Sequence, residues 1–367
     1  MDEARRTDWI VLGTALLLTG VGLVLVYSTS SPLAFGREGA DPASYLKRSL
    51  AYAAVGVTGA LVAARIPAPW LRRLAYPALG LATVLLVLPW VPPVGQAING
   101  AHRWVRLGPL GFQPSELAKL ALVLFLAHSL AKRGERVRSF GYGYLPHVVL
   151  PAVPIGLVLI GPDLGTAVLL AAVVAVTAFA GGVRLRHLAA GLLPVLPLVA
   201  YLLWFVPFRR DRILAFLDPW SHAQGAGFQL VQSLLAFGAG GVWGVGLGAG
   251  RQKLHYLPEA HTDFILSVWA EERGLVGVAL VLALVAVLVW RGYVIAWRQE
   301  DPFRRHLATG ISTWLGLQAA LNALVVTGCL PTKGLPFPFL SYGGTGLVVC
   351  LTAAGLLAGL ARREAPA

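Results

Sequence analysis

Charged side chains are scarce in this chain: Asp, Glu, Lys and Arg make up 13% of its 367 residues, against 57% hydrophobic residues. That excludes a single soluble core, because so much apolar surface cannot be hidden inside one globule. Acidic residues are scarcer than basic ones, 17 against 30, so a carboxylate beside an apolar run stands out. Cysteine is limited to Cys329 and Cys350, far apart along the final hairpin, which gives no basis for a disulfide framework or a cysteine-ligated metal. Nothing suggests a soluble domain.

What the chain has instead is lipid-matched length. Apolar runs of roughly 15 to 25 residues recur from one end to the other. They are Trp9 to Tyr27, Ser49 to Ala64, Leu74 to Trp90, Leu117 to Ala131, Leu145 to Ile160, Leu164 to Ala180, Leu188 to Val206, Phe264 to Trp290, Leu307 to Val326 and Gly346 to Leu360. The expected fold class is therefore an all-α integral membrane protein with about ten transmembrane helices, one polytopic unit over residues 1–367. Several runs are shorter than a perpendicular helix requires, so tilt or shielding by neighbours is expected. The first run lacks a small-residue cleavage site and leads into further spans, which reads as a retained anchor.

The net charge of +13 raises the question of nucleic acid. Its carriers, however, sit in short loops between apolar runs and form no stripe, which fits a topology signal and no nucleic-acid partner. If every run spans the membrane, the clusters Arg5/Arg6, Arg65/Arg72/Arg73, Lys132/Arg133/Arg136/Arg138, Arg184/Arg186, Arg291/Arg298/Arg304/Arg305 and Arg362/Arg363 share one side. The positive-inside rule makes that side cytoplasmic, with both termini there. The other side receives the segments around Ser28 to Arg48, Val91 to Gln113, Pro207 to Thr262 and Pro331 to Tyr342.

Residues 207–262 form the longest connection, a large extracytoplasmic loop, and loops of that length are usually functional. Within it, Phe228 to Phe237 places Phe228, Val231 and Leu235 on one helical side and Gln229, Gln232 and Ser233 toward another, which predicts an amphipathic helix. Gly238 to Gly250 contains a Gly-x-Gly-x-Gly pattern without a preceding strand, so a dinucleotide fingerprint is rejected. Its glycines suit tight turns and close backbone approach to helices or to a ligand headgroup. The Pro/Gly-rich outer loop 331–344 cannot be regular helix, and such backbone is tolerated near membrane depth where protein or a water-filled cavity covers it.

Asp263 is the leading candidate for chemistry. It ends the polar stretch that begins at Gln252 and opens a long apolar run, and an acid so placed marks a functional site unless it only caps a helix. Helical spacing would align Ser267 and Glu271 with it. Glu116 and Lys119, i and i+3 at the start of the fourth span, can neutralise each other in lipid or hold a cation beside a phosphate. Asn99 to Arg106 supplies Arg103, Arg106 and aromatic surface suited to an anionic headgroup. Asp163, in Gly161-Pro162-Asp163, is placed to cap the sixth helix. His102, His255 and His261 show no metal-ligand spacing, so no zinc site is expected.

These strings together resemble the SEDS family (shape, elongation, division and sporulation) of membrane glycosyltransferases, from about Asp8 to about Leu360. The carriers are Asn99-Gly-Ala-His-Arg-Trp104, Phe112-Gln-Pro-Ser-Glu-Leu-Ala-Lys119, Pro162-Asp-Leu-Gly-Thr166, Phe216-Leu-Asp-Pro-Trp220, Tyr256 to Ile265, Leu330-Pro-Thr-Lys-Gly334 and Ser341-Tyr-Gly-Gly344. Gln252-Lys253, Tyr256 to His261 and Pro331 to Gly334 look more like the division branch than the elongation branch, with the sporulation branch close behind. The chain departs from the usual pattern at His102, Gly161, Arg273 and Thr345.

The resemblance implies a peptidoglycan glycan-strand polymerase of the bacterial inner membrane, with lipid II as substrate and a class B penicillin-binding transpeptidase as partner. It implies Asp263 as the essential acid, with Arg103, Glu116 and Lys119 lining one outer cavity. Lys253, Glu259, His261, Lys333 and Ser341 lie in the same matching strings and join the expected substrate-binding set with Arg106.

The chemistry requires a base for a sugar 4-hydroxyl and cations for a departing undecaprenyl diphosphate. Asp263 would be the general base. The cations would come from Arg103, Arg106, Lys119, Arg251, Lys253 and Lys333, or from a divalent ion (Mg or Mn) held by carboxylates and substrate. Two rivals are a lipid II flippase and a non-catalytic scaffold for the transpeptidase. Transport predicts a midplane site, whereas these polar strings gather at one face; a scaffold leaves Asp263 without a task.

Overall fold

The computed structural model describes residues 7–34, 41–98, 101–107, 110–193, 195–254 and 256–362. Asn99, Gly100, His255 and the basic residues Arg5, Arg6 and Arg363 lie outside them. In chain order the helices α1 (Trp9–Ala34), α2 (Ser44–Ala63) and α3 (Ala68–Leu85) precede a small sheet of β1 (Gly95–Ile98), β2 (Ala101–Leu107) and β3 (Leu110–Phe112). Then follow α4 (Pro114–Arg133), α5 (Leu145–Ile160), α6 (Leu164–Ala180), α7 (Leu185–Leu192), α8 (Val195–Trp204), α9 (Pro207–Leu217) and α10 (Phe228–Gly240). The chain closes with α11 (Ile265–Trp297), α12 (Pro302–Val326) and α13 (Gly344–Leu360).

Among the described residues, six helices are long and apolar enough to cross a membrane, and α6, α10 and α13 are shorter apolar helices. Their starts follow from local chemistry. Asp163 accepts from Thr166 N at 3.0 Å to cap α6, and Asp301 accepts from Phe303 N at 3.1 Å to cap α12. Proline opens α4, α9 and α12, where its missing N–H is harmless. The run from Leu188 to Val206 is divided between α7 and α8 where a single span was expected.

At the centre, α4 lies against α3, α12 and α6, while α12 also packs on α11 and α13 on α2. Phe125, Leu126, Leu169, Trp314 and Phe303 are fully enclosed there. The ends of the first and last helices meet: Arg362 Nε donates to Thr7 Oγ1 at 2.8 Å, and Arg291 Nε lies 2.6 Å from Asp8 Oδ2. Nearby, Arg72 pairs with Asp301 at 2.6 Å and Arg304 Nη2 donates to Leu360 O at 2.8 Å. Arg72, Arg291, Arg304 and Arg362, from three of the basic clusters that the sequence assigned to one side, thus gather at one end of the bundle.

The sheet was not anticipated. It is antiparallel in the order β1-β2-β3, and its pairing shifts between Gln96↔Trp104 and Ala97↔His102. Arg103 is therefore the extra residue of a bulge, a device that re-aims a side chain.

One interruption divides α11. Gly274 leaves helical geometry inside α11, with φ 64° and ψ −164°. Residues 241–246 fill the gap: Leu275 N donates to Gly241 O at 2.9 Å and Val276 N to Val242 O at 3.2 Å. In return Val245 N reaches Glu271 O at 3.0 Å and Gly246 N reaches Glu272 O at 3.1 Å. A Cβ on Gly274 would lie 2.4 Å from Val242 O, so both conformation and space require glycine.

Candidate active site

Asp263 sits in the turn before α11, and three elements converge on it. From α12, Asn322 Nδ2 donates to Asp263 O and to Leu335 O, each at 2.7 Å. From the 331–344 loop, Gly334 passes so close that a Cβ there would lie 3.0 Å from Asp263 Oδ2 and 3.9 Å from Arg103 Nη1. From the sheet, Arg103 is fixed by Nε donating to Gly161 O at 3.1 Å and by a second bond to Pro162 O. The carboxylate and the guanidinium thus face one glycine-lined space.

The electrostatics follow from crowding. Asp263 is pushed up to about 7, first by loss of water, then by the carboxylates of Glu259 and Asp163, with Arg103 and Arg212 opposing. Lys333, half-buried beside Gly165, is shifted downward by desolvation. Asp163 keeps the capping role read from its sequence, yet its charge also acts on Asp263.

The remaining expected site residues divide into two groups. His261 and Ser341 join the Asp263 turn to the Pro/Gly loop. His261 O accepts from Tyr342 N at 2.8 Å, while Ser341 Oγ donates to Thr262 O and accepts from Phe337 N, both at 2.7 Å. Glu259 is exposed, holds a positive φ of 56°, and accepts from Thr262 Oγ1 at 2.9 Å. Arg106 is exposed at the far end of β2.

Glu116, Lys119 and Lys253 lie deeper. Lys119 Nζ sits 2.8 Å from Glu116 Oε1, with 1% and 3% side-chain exposure. Neither offers surface to a substrate in this conformation. Lys119 instead donates to Gln318 Oε1 at 3.0 Å, and Gln318 Nε2 donates to Pro336 O at 2.8 Å, so the pair underpins the 331–344 loop. Lys253 is taken by Glu272 at 2.6 Å and Ser28 at 2.8 Å.

The polar stripe expected from Asp263 through Ser267 to Glu271 is likewise consumed by structure. Ser267 bonds Ser233 at 2.7 Å, and Glu271 accepts from Arg251 N at 2.8 Å and Gln252 N at 3.1 Å.

Sequence reasoning missed Asn322, Gln318 and Arg212. Polar residues inside the apolar run of α12 were a usable signal for the first two. Arg212 lay hidden in an ordinary basic segment. Among the described residues no group of three or more His, Cys, Asp or Glu is placed to hold a metal ion.

A helical membrane protein whose irregular loops gather a raised carboxylate, flanked by Glu259 and Asp163, with the cations Arg103 and Arg212 defines a class suited to phosphate-bearing lipid substrates. The chain belongs to the FtsW/RodA/SpoVE family of cell cycle proteins, whose model matches residues 8–365. It is 46% identical over 363 residues to a probable peptidoglycan glycosyltransferase FtsW of Geobacter sulfurreducens, covering 99% of this chain and 97% of that one. A protein of the same name from Nitrosomonas europaea is 41% identical over 355 residues, covering 95% and 91%.

Among solved structures, a chain from the work named "Structural coordination of polymerization and crosslinking by a peptidoglycan synthase complex" superposes with a TM-score of 0.78. The two are 35% identical over 97% of this chain and 98% of that one. The rod shape determining protein RodA of Thermus thermophilus gives a TM-score of 0.71 at 31% identity, covering 97% of each chain.

Proposed function

We propose that this multi-pass inner-membrane protein is a peptidoglycan glycosyltransferase that polymerises lipid II during cell division, with Asp263 as its general base. The observation that carries the base assignment is the carboxylate pushed up to about 7 while facing Arg103 across Gly334. A base of that strength can exist deprotonated near neutral pH and still accept a proton as a sugar hydroxyl attacks.

In the reaction, the 4-hydroxyl oxygen of one lipid-linked disaccharide bonds to the anomeric carbon of another, and its proton passes to Asp263. The bond from that carbon to the diphosphate breaks, and the electron pair leaves with undecaprenyl diphosphate. One carboxylate acting as base fits a single displacement with inversion. Arg103 is the fixed cation for the leaving group, and Lys333 the second. Glu116, Lys119, Asn322, Gln318 and Ser341 hold the two loops that carry these groups.

The gathering of Arg72, Arg291, Arg304 and Arg362 at the end of the bundle away from Asp263 supports an outward-facing site with both termini in the cytoplasm. A partner that crosslinks strands, a class B penicillin-binding transpeptidase, fits the pairing of polymerisation with crosslinking in the similar complex. The test is polymerisation by the purified protein with lipid II, with and without that transpeptidase. Asp263→Asn is expected to lose about 10²-fold or more of the rate; an unchanged rate removes the base assignment. Flipping of lipid II in vesicles without glycan lengthening would favour transport instead.

A further inference from the structure

Arg212 belongs to the cavity although it comes from a different part of the chain from every other cation there. It projects from α9, and its Nη1 donates to Thr332 O at 3.3 Å, one residue before Lys333 and two before Gly334. It lies within electrostatic range of both Asp263 and Arg103. Arg103 and Arg212 thus act on the same carboxylate from two separate elements, one from the sheet and one from α9.

The two arginines are mounted differently. Arg103 is a bulge residue tied to the carbonyls of Gly161 and Pro162 in the α5–α6 turn, which packs within the bundle. Helix α9 packs chiefly on α8, which in turn packs on α7, so Arg212 rides on a peripheral arm. The arm's outer surface is apolar, with Trp204, Phe205, Leu217 and Trp220 all more than half exposed. Apolar side chains so placed beside Arg209 and Arg210 suit the membrane interface.

Charge decides what this pair can hold. Two guanidiniums act on Asp263, which at about 7 is roughly half ionised near neutral pH, and Lys333 adjoins Gly334 in the facing loop. Asp163 is engaged by its own helix and Glu259 by Thr262. A dianionic group bound between two planar forks restores balance, and a diphosphate offers two phosphoryl groups to two arginines.

We infer that Arg212 is a diphosphate-binding residue of the polymerase cavity, carried by α9 so that an incoming lipid diphosphate draws the arm against the fixed Arg103. This rests on the polymerase reading above, and the measurement is chosen to stand apart from it.

Full-length protein in detergent is titrated with undecaprenyl diphosphate and with undecaprenyl monophosphate, comparing the parent with Arg212→Gln, Arg212→Lys and Arg210→Gln. The parent is expected to prefer the diphosphate. Arg212→Gln is expected to lose about tenfold or more of diphosphate affinity, the scale of one charge-assisted contact, while monophosphate binding changes little. Arg210→Gln removes the same charge from an exposed position on the same helix and is expected to bind as the parent does.

In turnover, the KM for lipid II rises more than kcat falls. Of the charged groups acting on Asp263, which are Glu259, Asp163, Arg103 and Arg212, one cation has been removed, so the acid limb of the rate profile moves to higher pH. Equal binding of diphosphate by parent and Arg212→Gln, or equal losses in Arg210→Gln, overturns the inference. If Arg212→Gln fails to fold, Arg212→Lys decides: it keeps the charge without the fork, and undiminished diphosphate preference overturns the inference. If Asp263→Asn polymerises normally, the catalytic reading falls while the binding comparison still judges Arg212.

Discussion

Asn322 Nδ2 donates to the backbone oxygens of Asp263 and Leu335 at 2.7 Å each, so one amide inside α12 fixes the acid-bearing turn against the loop that faces it. The position of the carboxylate is therefore set from beneath, by a residue that has no contact with solvent.

Asn322→Leu, of similar volume, leaves both carbonyls without their donor. The expected cost is about 1–3 kcal/mol of stability, read as a lower melting midpoint. The fall in kcat should exceed the change in KM, because the base shifts relative to its target.

Gly334→Ala places a methyl group 3.0 Å from Asp263 Oδ2, closer than comfortable packing allows. The carboxylate or the loop must give way. A rate loss of about tenfold or more is expected with normal expression and melting behaviour, measured by lipid II polymerisation.

Because burial and the carboxylates of Glu259 and Asp163 hold Asp263 at about 7, polymerisation should rise with pH through that value as the base loses its proton. Stability should run the other way. A folded-state value above the ordinary 3.8 means that the folded protein resists ionising this group, so stability declines between about pH 4 and 7 and then levels off. Asp263→Asn is expected to melt higher than the parent at pH 8 and alike near pH 4, checked by thermal denaturation in detergent.

Glu116 and Lys119 are enclosed as a pair 2.8 Å apart. Breaking a buried pair strands a charge, so Glu116→Gln or Lys119→Met should each cost about 3–5 kcal/mol. The double variant should cost less than the sum of the two. Strict additivity in a double-mutant cycle would show that the two side chains act independently.

How much of this was legible in the sequence depends on how far apart the partners lie. Asp263 stood out because an acid opening an apolar run has few structural excuses, and the spans followed from run length alone. The β2 hairpin did not, since Ala101-His-Arg-Trp-Val-Arg-Leu107 has no two-residue alternation and its bulge hides the register. Lys253 looked like a free headgroup ligand because its partners, Ser28 and Glu272, are 225 and 19 residues away. Glu116 and Lys119 were read correctly as a neutralising pair, but only packing reveals that Gln318 and the 331–344 loop seal them in. Arg212 had no local mark at all; its role comes from where α9 is hung.

The glycine break within α11 has a mechanical consequence. The shorter piece, Ile265 to Arg273, is laced by its carbonyls and carboxylates to residues 245–253, whereas Leu275 to Trp297 stands in the bundle and bonds back to Gly241 and Val242. Residues 241–246 bond to both sides of Gly274, so they splint the two pieces across the break. The carboxylate just ahead of Ile265 is therefore braced to the long shaft twice, through α11 itself and through this strap of backbone, as a broken spar is held by a batten.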